Sequence, residues 1–190
     1  MVRAPAEHIL MPDLRERVRN LVTAPRFEHI QRVVALTDCI ARCNRFTAEE
    51  REDALLAALL HDAARDLTPA RLFELAPPRS DLERAQPLAV HGRASRALAR
   101  SWGVENEGVL DAIEGHVFGV ALGDRVGMAV YVADVCEPGR GVNHEIRERA
   151  LGDLPGAYRA AVDSKVSYLL SKGKSVHPTT LEVYEQIHNA

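Results

Sequence analysis

The stretch LLAALLHDAARD, residues 55–66, is apolar on every face of a helix until it reaches His61 and Asp62. An all-round apolar helix belongs in the interior rather than on the surface. A lone charge buried there costs on the order of several kcal/mol or is neutralised. Closing such a helix on an imidazole and a carboxylate therefore requires partners that meet them. MAVYVAD, residues 128–134, repeats the arrangement: Tyr131 supplies a phenol hydroxyl, and no other polar side chain precedes Asp134.

Around these two segments apolar residues recur at intervals of three and four, as in Phe27, Ile30, Val33, Val34, Ile40 and Ala41. No stretch alternates with period two for long enough to build a sheet, so the expected fold is all-helical. Pro12 opens a first helix running to about Val22, and Pro25 separates it from a second over 26–43. Thr47 with Glu50 forms a capping box for a third that ends near Asp62. Residues 67–90, with Pro69, Pro77, Pro78 and Pro87, read as a connector carrying one short helix near 70–76. Further helices are expected at about 92–102, 106–115, 124–135, 143–151, 155–172 and 178–188. No linker or repeat marks a second globular unit. The expected organisation is an N-terminal helical extension, 1–24, followed by one domain, 25–190.

Composition narrows the function. With 46% hydrophobic and 27% charged residues, the 190-residue chain has an ordinary globular make-up. Its net charge of −3 and scattered basic residues argue against nucleic-acid binding. No apolar run approaches the roughly 20 residues that span a bilayer, and the N-terminus has no signal-peptide core. A cytoplasmic protein without membrane contact is expected. Three cysteines, Cys39, Cys43 and Cys136, show no disulfide-framework spacing. Cys39 and Cys43, one helical turn apart, read as buried small hydrophobes.

Residues able to hold divalent metals occur in or at the ends of the predicted helices: His29, His61, Asp62, His91, His116 and Asp134. They are dispersed in sequence, so only folding can gather them. Two interior acids brought together are strongly unfavourable unless cations lie between them, and neighbouring histidines would make those cations metal ions. Adjacent His61 and Asp62 project about 100° apart on a helix. Near its end they can converge on one ion, or Asp62 can bridge two.

The order His, His-Asp, His, His, Asp resembles the metal-binding pattern of HD-domain phosphohydrolases, in the version with a dinuclear centre. GHVFG at 115–119, YVADVCEPGR at 131–140 and SKGKSVHPTTLE at 171–182 are similar to consecutive signatures of the YqeK family. Members of that family are HD-domain hydrolases that split diadenosine tetraphosphate symmetrically into two ADP. The resemblance spans about residues 26–188. It implies a single HD-domain helical bundle and a symmetrical bis(5'-nucleosyl)-tetraphosphatase. His29, His61, Asp62, His91, His116 and Asp134 would hold two divalent ions, iron foremost, with manganese or cobalt also suited, and the ions would ready water for attack. Arg65 and Arg140 would grip the dinucleoside polyphosphate alongside His91 and His116, and with Asp62 would form the catalytic set. A homodimer is compatible with it. Val117 stands where the family usually has a hydroxyl residue. Two alternatives stay open: another nucleotide as substrate, and a nucleotide-sensing metal protein without turnover.

Plainer readings exist for each residue. His29 could be a hydrogen-bonded core histidine. Asp62 and Asp134 could be helix-end acids satisfied by amides or an arginine. Arg65 could complement a helix dipole, and Arg140 could pair with Glu137, or with another acid, to brace the EPGR turn. His177 would organise entry to the last helix, with Thr179 or Thr180 as cap, and His8, His144 and His188 would face solvent.

Overall fold

The computed structural model describes residues 6–189, and side chains from residue 12 to 189. Among them are eleven α-helices and no β-strand: α1 (Ala6–Leu21), α2 (Ala24–Cys43), α3 (Ala48–Leu60), α4 (Pro69–Leu75), α5 (Asp81–Ala85), α6 (His91–Ser101), α7 (Glu107–Gly115), α8 (Arg125–Cys136), α9 (His144–Ala150), α10 (Leu154–Ser171) and α11 (Pro178–His188). The molecule is the all-helical bundle expected. No described helix is long and apolar enough to cross a membrane.

α8 is the axis of the core. Its residues Gly127–Ala133 and Cys136 are all buried, and it packs against α2, α3, α7, α9 and α10. Surrounded on all sides, it can be apolar all round without exposing apolar surface to water. α2 and α3 lie against it and against each other. α2 contributes Phe27, Ile30, Val33, Leu36 and Ile40, spaced at three and four. α3 starts at the expected capping box, in which the Thr47 hydroxyl accepts from the Glu50 amide while Glu50 accepts from the Thr47 amide. α1 packs on α2 and α3.

Two glycines set the distances near the centre of the molecule. A Cβ at Gly92 would lie 2.6 Å from the Glu114 carbonyl oxygen and 2.7 Å from a Val117 methyl. The start of α6 can thus press against the end of α7, which brings His91 to His116. Gly119 has φ of +112°, and a Cβ there would sit 2.8 Å from Val183; it turns the chain sharply after His116. The turn is held by Tyr158, whose hydroxyl accepts from the Val120 amide at 2.6 Å and donates to the Val120 carbonyl at 2.7 Å.

Several expectations need correction. α1 begins before Pro12, which lies inside it: a proline forgoes its own amide bond and need not end a helix. The 67–90 connector holds two short helices, α4 and α5, and a 3-10 turn at Pro87–Val90. Ser80 and Thr68 cap them through their hydroxyls. α3 ends at Leu60, so His61 and Asp62 occupy the turn that follows. Cys39 and Cys43 are exposed, because α2 turns its Leu36, Ile40 and Ala41 face inward and theirs outward. His144 and His188 are exposed as expected, and the side chain of His8 lies outside the described residues.

Candidate metal centre and its cleft

The fold gathers all six dispersed His and Asp residues. His29 comes from mid-α2, His61 and Asp62 from the turn after α3, His91 from the start of α6, His116 from the residue that caps α7, and Asp134 from α8. Asp62 is central. Its Oδ1 lies 3.1 Å from His91 Nε2 and 3.4 Å from His116 Nε2, and its Oδ2 lies 3.8 Å from His29 Nε2 and 3.7 Å from His61 Nε2. Asp134 Oδ1 is 3.0 Å from His29 Nε2 and 3.9 Å from His61 Nε2. The two carboxylates thus face imidazoles on several sides.

Local hydrogen bonds aim the rings. Each of three histidines at a helix end turns Nδ1 back to a carbonyl three residues earlier: His61 to Ala58 at 2.7 Å, His91 to Leu88 at 2.5 Å and His116 to Ile113 at 2.6 Å. A carbonyl oxygen only accepts, so Nδ1 carries the proton and Nε2 of the neutral ring presents a lone pair. His29 Nδ1 is 3.0 Å from Glu137 Oε1 in the same sense. Every ring is therefore fixed from behind with its Nε2 turned inward.

The result is a buried shell of acceptors. His91 Nε2 and His116 Nε2 lie 3.0 Å apart, and the Nε2 atoms of His29 and His61 are buried without a hydrogen-bond partner. Burial pushes the His61 imidazole down to about 4, with Asp62 and Asp134 opposing the shift. This ring is bare at Nε2 near neutral pH. Burial disfavours ionised Asp62, yet its contacts with His61, His116 and His91 outweigh burial and hold the carboxyl well below its usual range. For Asp134, the neighbouring His29 and the Arg140 guanidinium outweigh burial. Facing lone pairs and carboxylates repel unless a cation lies among them. Two sets of three donors, His29, His61 and Asp134, and His61, Asp62 and His116, each have ligand atoms within 4.8 Å of one another. Imidazole with carboxylate is a donor set for divalent transition metals, so the residues present fit a metal centre.

Asp62, His91, His116 and Asp134 of the centre line a cleft of about 1180 Å³. Leu82, Pro87 and Leu88 line one part of the wall, and Val142, Tyr168 and Leu169 another, while Arg26, Arg65, Arg140, Lys165 and Lys174 add positive charge. Arg65 lies in the cleft wall and makes no side-chain ion pair among the described residues. Arg140 does not pair with Glu137. Its Nη2 is 2.5 Å from Asp134 Oδ1 and its Nε donates to the Asp134 carbonyl. Glu137 is already engaged: it accepts from Arg32 at 2.7 Å and the Gly139 amide at 2.5 Å while backing His29. His177 is itself the cap of α11, accepting from the Thr179 amide at 3.2 Å, and its ring stacks on Phe118 with centroids 4.0 Å apart.

Three contributors were not apparent from sequence. Arg26, one turn before His29 on α2, donates to Asp62 Oδ2 at 2.8 Å. Glu137, three residues after Asp134, orients His29, and Lys165 enters the cleft wall from α10. The i, i+3 spacings of Arg26 with His29 and of Asp134 with Glu137 were the available signals.

These features define a protein class. Residues 26–139 match the HD domain, and the chain belongs to the HD-domain family. Within it the chain is a member of the YqeK-like group, whose relatives bear the name "Bis(5'-nucleosyl)-tetraphosphatase, symmetrical". The protein of that name from Bacillus subtilis (strain 168) is 30% identical over 183 residues, covering 88% of this chain and 91% of that protein. Its counterpart from Halalkalibacterium halodurans is 28% identical over 177 residues, with coverage of 90% and 92%. A crystal structure from Clostridium acetobutylicum, titled as a "predicted HD superfamily hydrolase involved in NAD metabolism", superposes with a TM-score of 0.84 at 26% identity, covering 94% of this chain and 96% of that one.

Proposed function

We propose that this protein is a metal-dependent phosphohydrolase that splits diadenosine tetraphosphate symmetrically into two ADP. The observation that carries the reading is the inward-facing shell of four imidazole Nε2 atoms and two carboxylates, with every Nδ1 committed behind it. Its substrate comes from the name that the relatives share. His29, His61 and Asp134 would hold one divalent ion and His91 and His116 a second, with Asp62 facing both groups. Iron is the proposed metal, and manganese or cobalt suits the same donors. When bound, such ions supply positive charge to the phosphoryl oxygens under attack and make a nucleophile available near neutral pH.

The chain's own residues do the remaining work. Arg65 lies in the cleft wall without an acidic partner among the described residues and would offer its guanidinium to phosphate oxygens. Arg140 and Arg26 restrain Asp134 and Asp62, which keeps both carboxylates ionised and oriented. Apolar side chains from two separate parts of the sequence, Leu82 with Leu88 and Val142 with Tyr168, give surfaces on which bases can rest. ADP is a stable anion and departs with less proton assistance than an alcohol needs, so no dedicated general acid is required. Residues 25–190 constitute the catalytic unit in this reading, with 1–24 as an extension.

The test is a product profile. Purified protein supplied anaerobically with ferrous ion, or with manganous ion, should convert diadenosine tetraphosphate to ADP as the sole nucleotide product. Formation of ATP plus AMP would overturn symmetrical cleavage, and absence of turnover with every metal would overturn the enzymatic reading.

A further inference from the structure

Among the cations of the cleft, Lys165 differs in its surroundings. Arg26 is committed to Asp62 and Asp66, and Arg140 to Asp134. Lys174 is exposed to water. Lys165 is half-buried in the wall, yet among the described residues it has no carboxylate within 4.0 Å. Its ammonium donates to the Val117 carbonyl and sits 5.0 Å from the centroid of the buried Tyr131 ring. Both neighbours are neutral. Burial pulls the amine down to about 8, against the attraction of more distant Asp134 and Asp62.

An ammonium has three N–H bonds. One is spent on the Val117 carbonyl and the ring face takes up a second direction, which leaves donor capacity for the cleft that Lys165 lines. The Val117 carbonyl belongs to the residue after His116, so the amine is anchored beside the imidazole cluster rather than at the outer rim. Val117 also lines the cleft, and its side chain offers no hydrogen bond to a guest. A desolvated cation without a counter-charge is unfavourable until an anion completes it. The missing partner must enter through the cleft and carry negative oxygen atoms next to the centre.

We propose that Lys165 is a substrate-binding residue whose ammonium, held on the Val117 carbonyl, receives a non-bridging oxygen of the bound polyphosphate. The inference rests on the phosphohydrolase reading for the identity of the guest. It assigns to α10, outside the 26–139 segment matched to the HD domain, a direct hold on the phosphate chain. Lys165 acts as a point charge that follows a flexible polyphosphate, where the fork of Arg65 imposes a fixed geometry.

Lys165→Met keeps the stem against Tyr131 and removes only the charge, and Lys165→Arg restores a charge on a longer arm. Three readings are taken on the metal-loaded protein: calorimetric binding of ADP, KM and kcat for diadenosine tetraphosphate, and metal content. Lys165→Met should weaken ADP binding and raise KM by tenfold or more, with kcat changed less than threefold and metal content unaltered. Lys165→Arg should recover part of the loss. Inhibition by adenosine, which has no phosphate, should be equal in all three proteins. The inference fails if ADP affinity and KM of Lys165→Met stay within twofold of the parent. It also fails if metal content and kcat fall together while ADP binding holds, since Lys165 would then act only by propping the His116 turn. A parent protein that cleaves the tetraphosphate while Lys165→Met binds ADP normally removes this inference and leaves the enzymatic reading standing. A parent that neither binds ADP nor turns over any nucleotide removes both.

Discussion

Glu137 supports His29 from behind, with Oε1 3.0 Å from Nδ1, and is itself held by Arg32 at 2.7 Å. Burial works against its ionisation, and the bonds from Arg32, His29 and the Gly139 amide overcome that cost, keeping the carboxyl below its ordinary range. An anionic partner on Nδ1 fixes the tautomer and makes the far nitrogen a better metal donor. Glu137→Gln should therefore lower metal affinity by about 10–100-fold with little change in helix content, as measured by manganese titration alongside circular dichroism. At this scale the sequence exposes the donors themselves, because His61, Asp62 and Asp134 interrupt runs that are otherwise apolar. It hides the roles of Arg26, Glu137 and Lys165. Their meaning depends on which helices abut, and in a linear reading each is one more charged residue on a helix.

Pairs of elements are fastened at their outer ends as well as in the core. Asp38 of α2 accepts from Arg51 of α3 at 2.5 Å and pairs with Arg42 at 2.8 Å. The hydrogen bond from Arg51, opposed by partial burial, holds the Asp38 carboxyl below its ordinary 3.8. A carboxyl depressed in the native state is protonated more readily in the unfolded chain. The stabilisation is complete above the unfolded value and is lost as pH falls through the native one. Asp38→Asn should lower the melting temperature at pH 7, and the gap between variant and parent should close as the pH is taken below the carboxylate range. Thermal melts across that interval check it. The elements themselves were largely legible, since Thr47 with Glu50, Pro178 and the glycines mark boundaries through local chemistry. Pro12 misled because its position relative to a helix start depends on residues further upstream. The outward turn of Cys39 and Cys43 was missed because neither thiol is polar enough to declare a face.

At the scale of the molecule, metal binding and folding should be coupled. Six donors from five helices meet only in the folded chain, so an ion bound there stabilises the whole bundle. Chelator-treated protein given manganese at a hundred times its dissociation constant should gain about 2.7 kcal/mol. That corresponds to a rise of roughly 5–10 °C in Tm for a chain of this size. Asp62→Ala should abolish most of the increment, and differential scanning fluorimetry with and without manganese reads both. The topology that brings these helices together was not legible from periodicity, which reports a buried face but not its neighbour. It followed from the likeness of ordered motifs to a known family; the close approaches that Gly92 and Gly119 permit emerge only in the folded molecule.

The stretch matched to the HD domain ends at residue 139, yet the cleft wall continues through Ser164, Lys165, Tyr168, Lys174 and His177. On the proposed reading, all six metal donors lie within the matched stretch, while the substrate is gripped from both sides of its end. Substitutions in the C-terminal third would then retune which nucleotide is admitted without touching a metal donor.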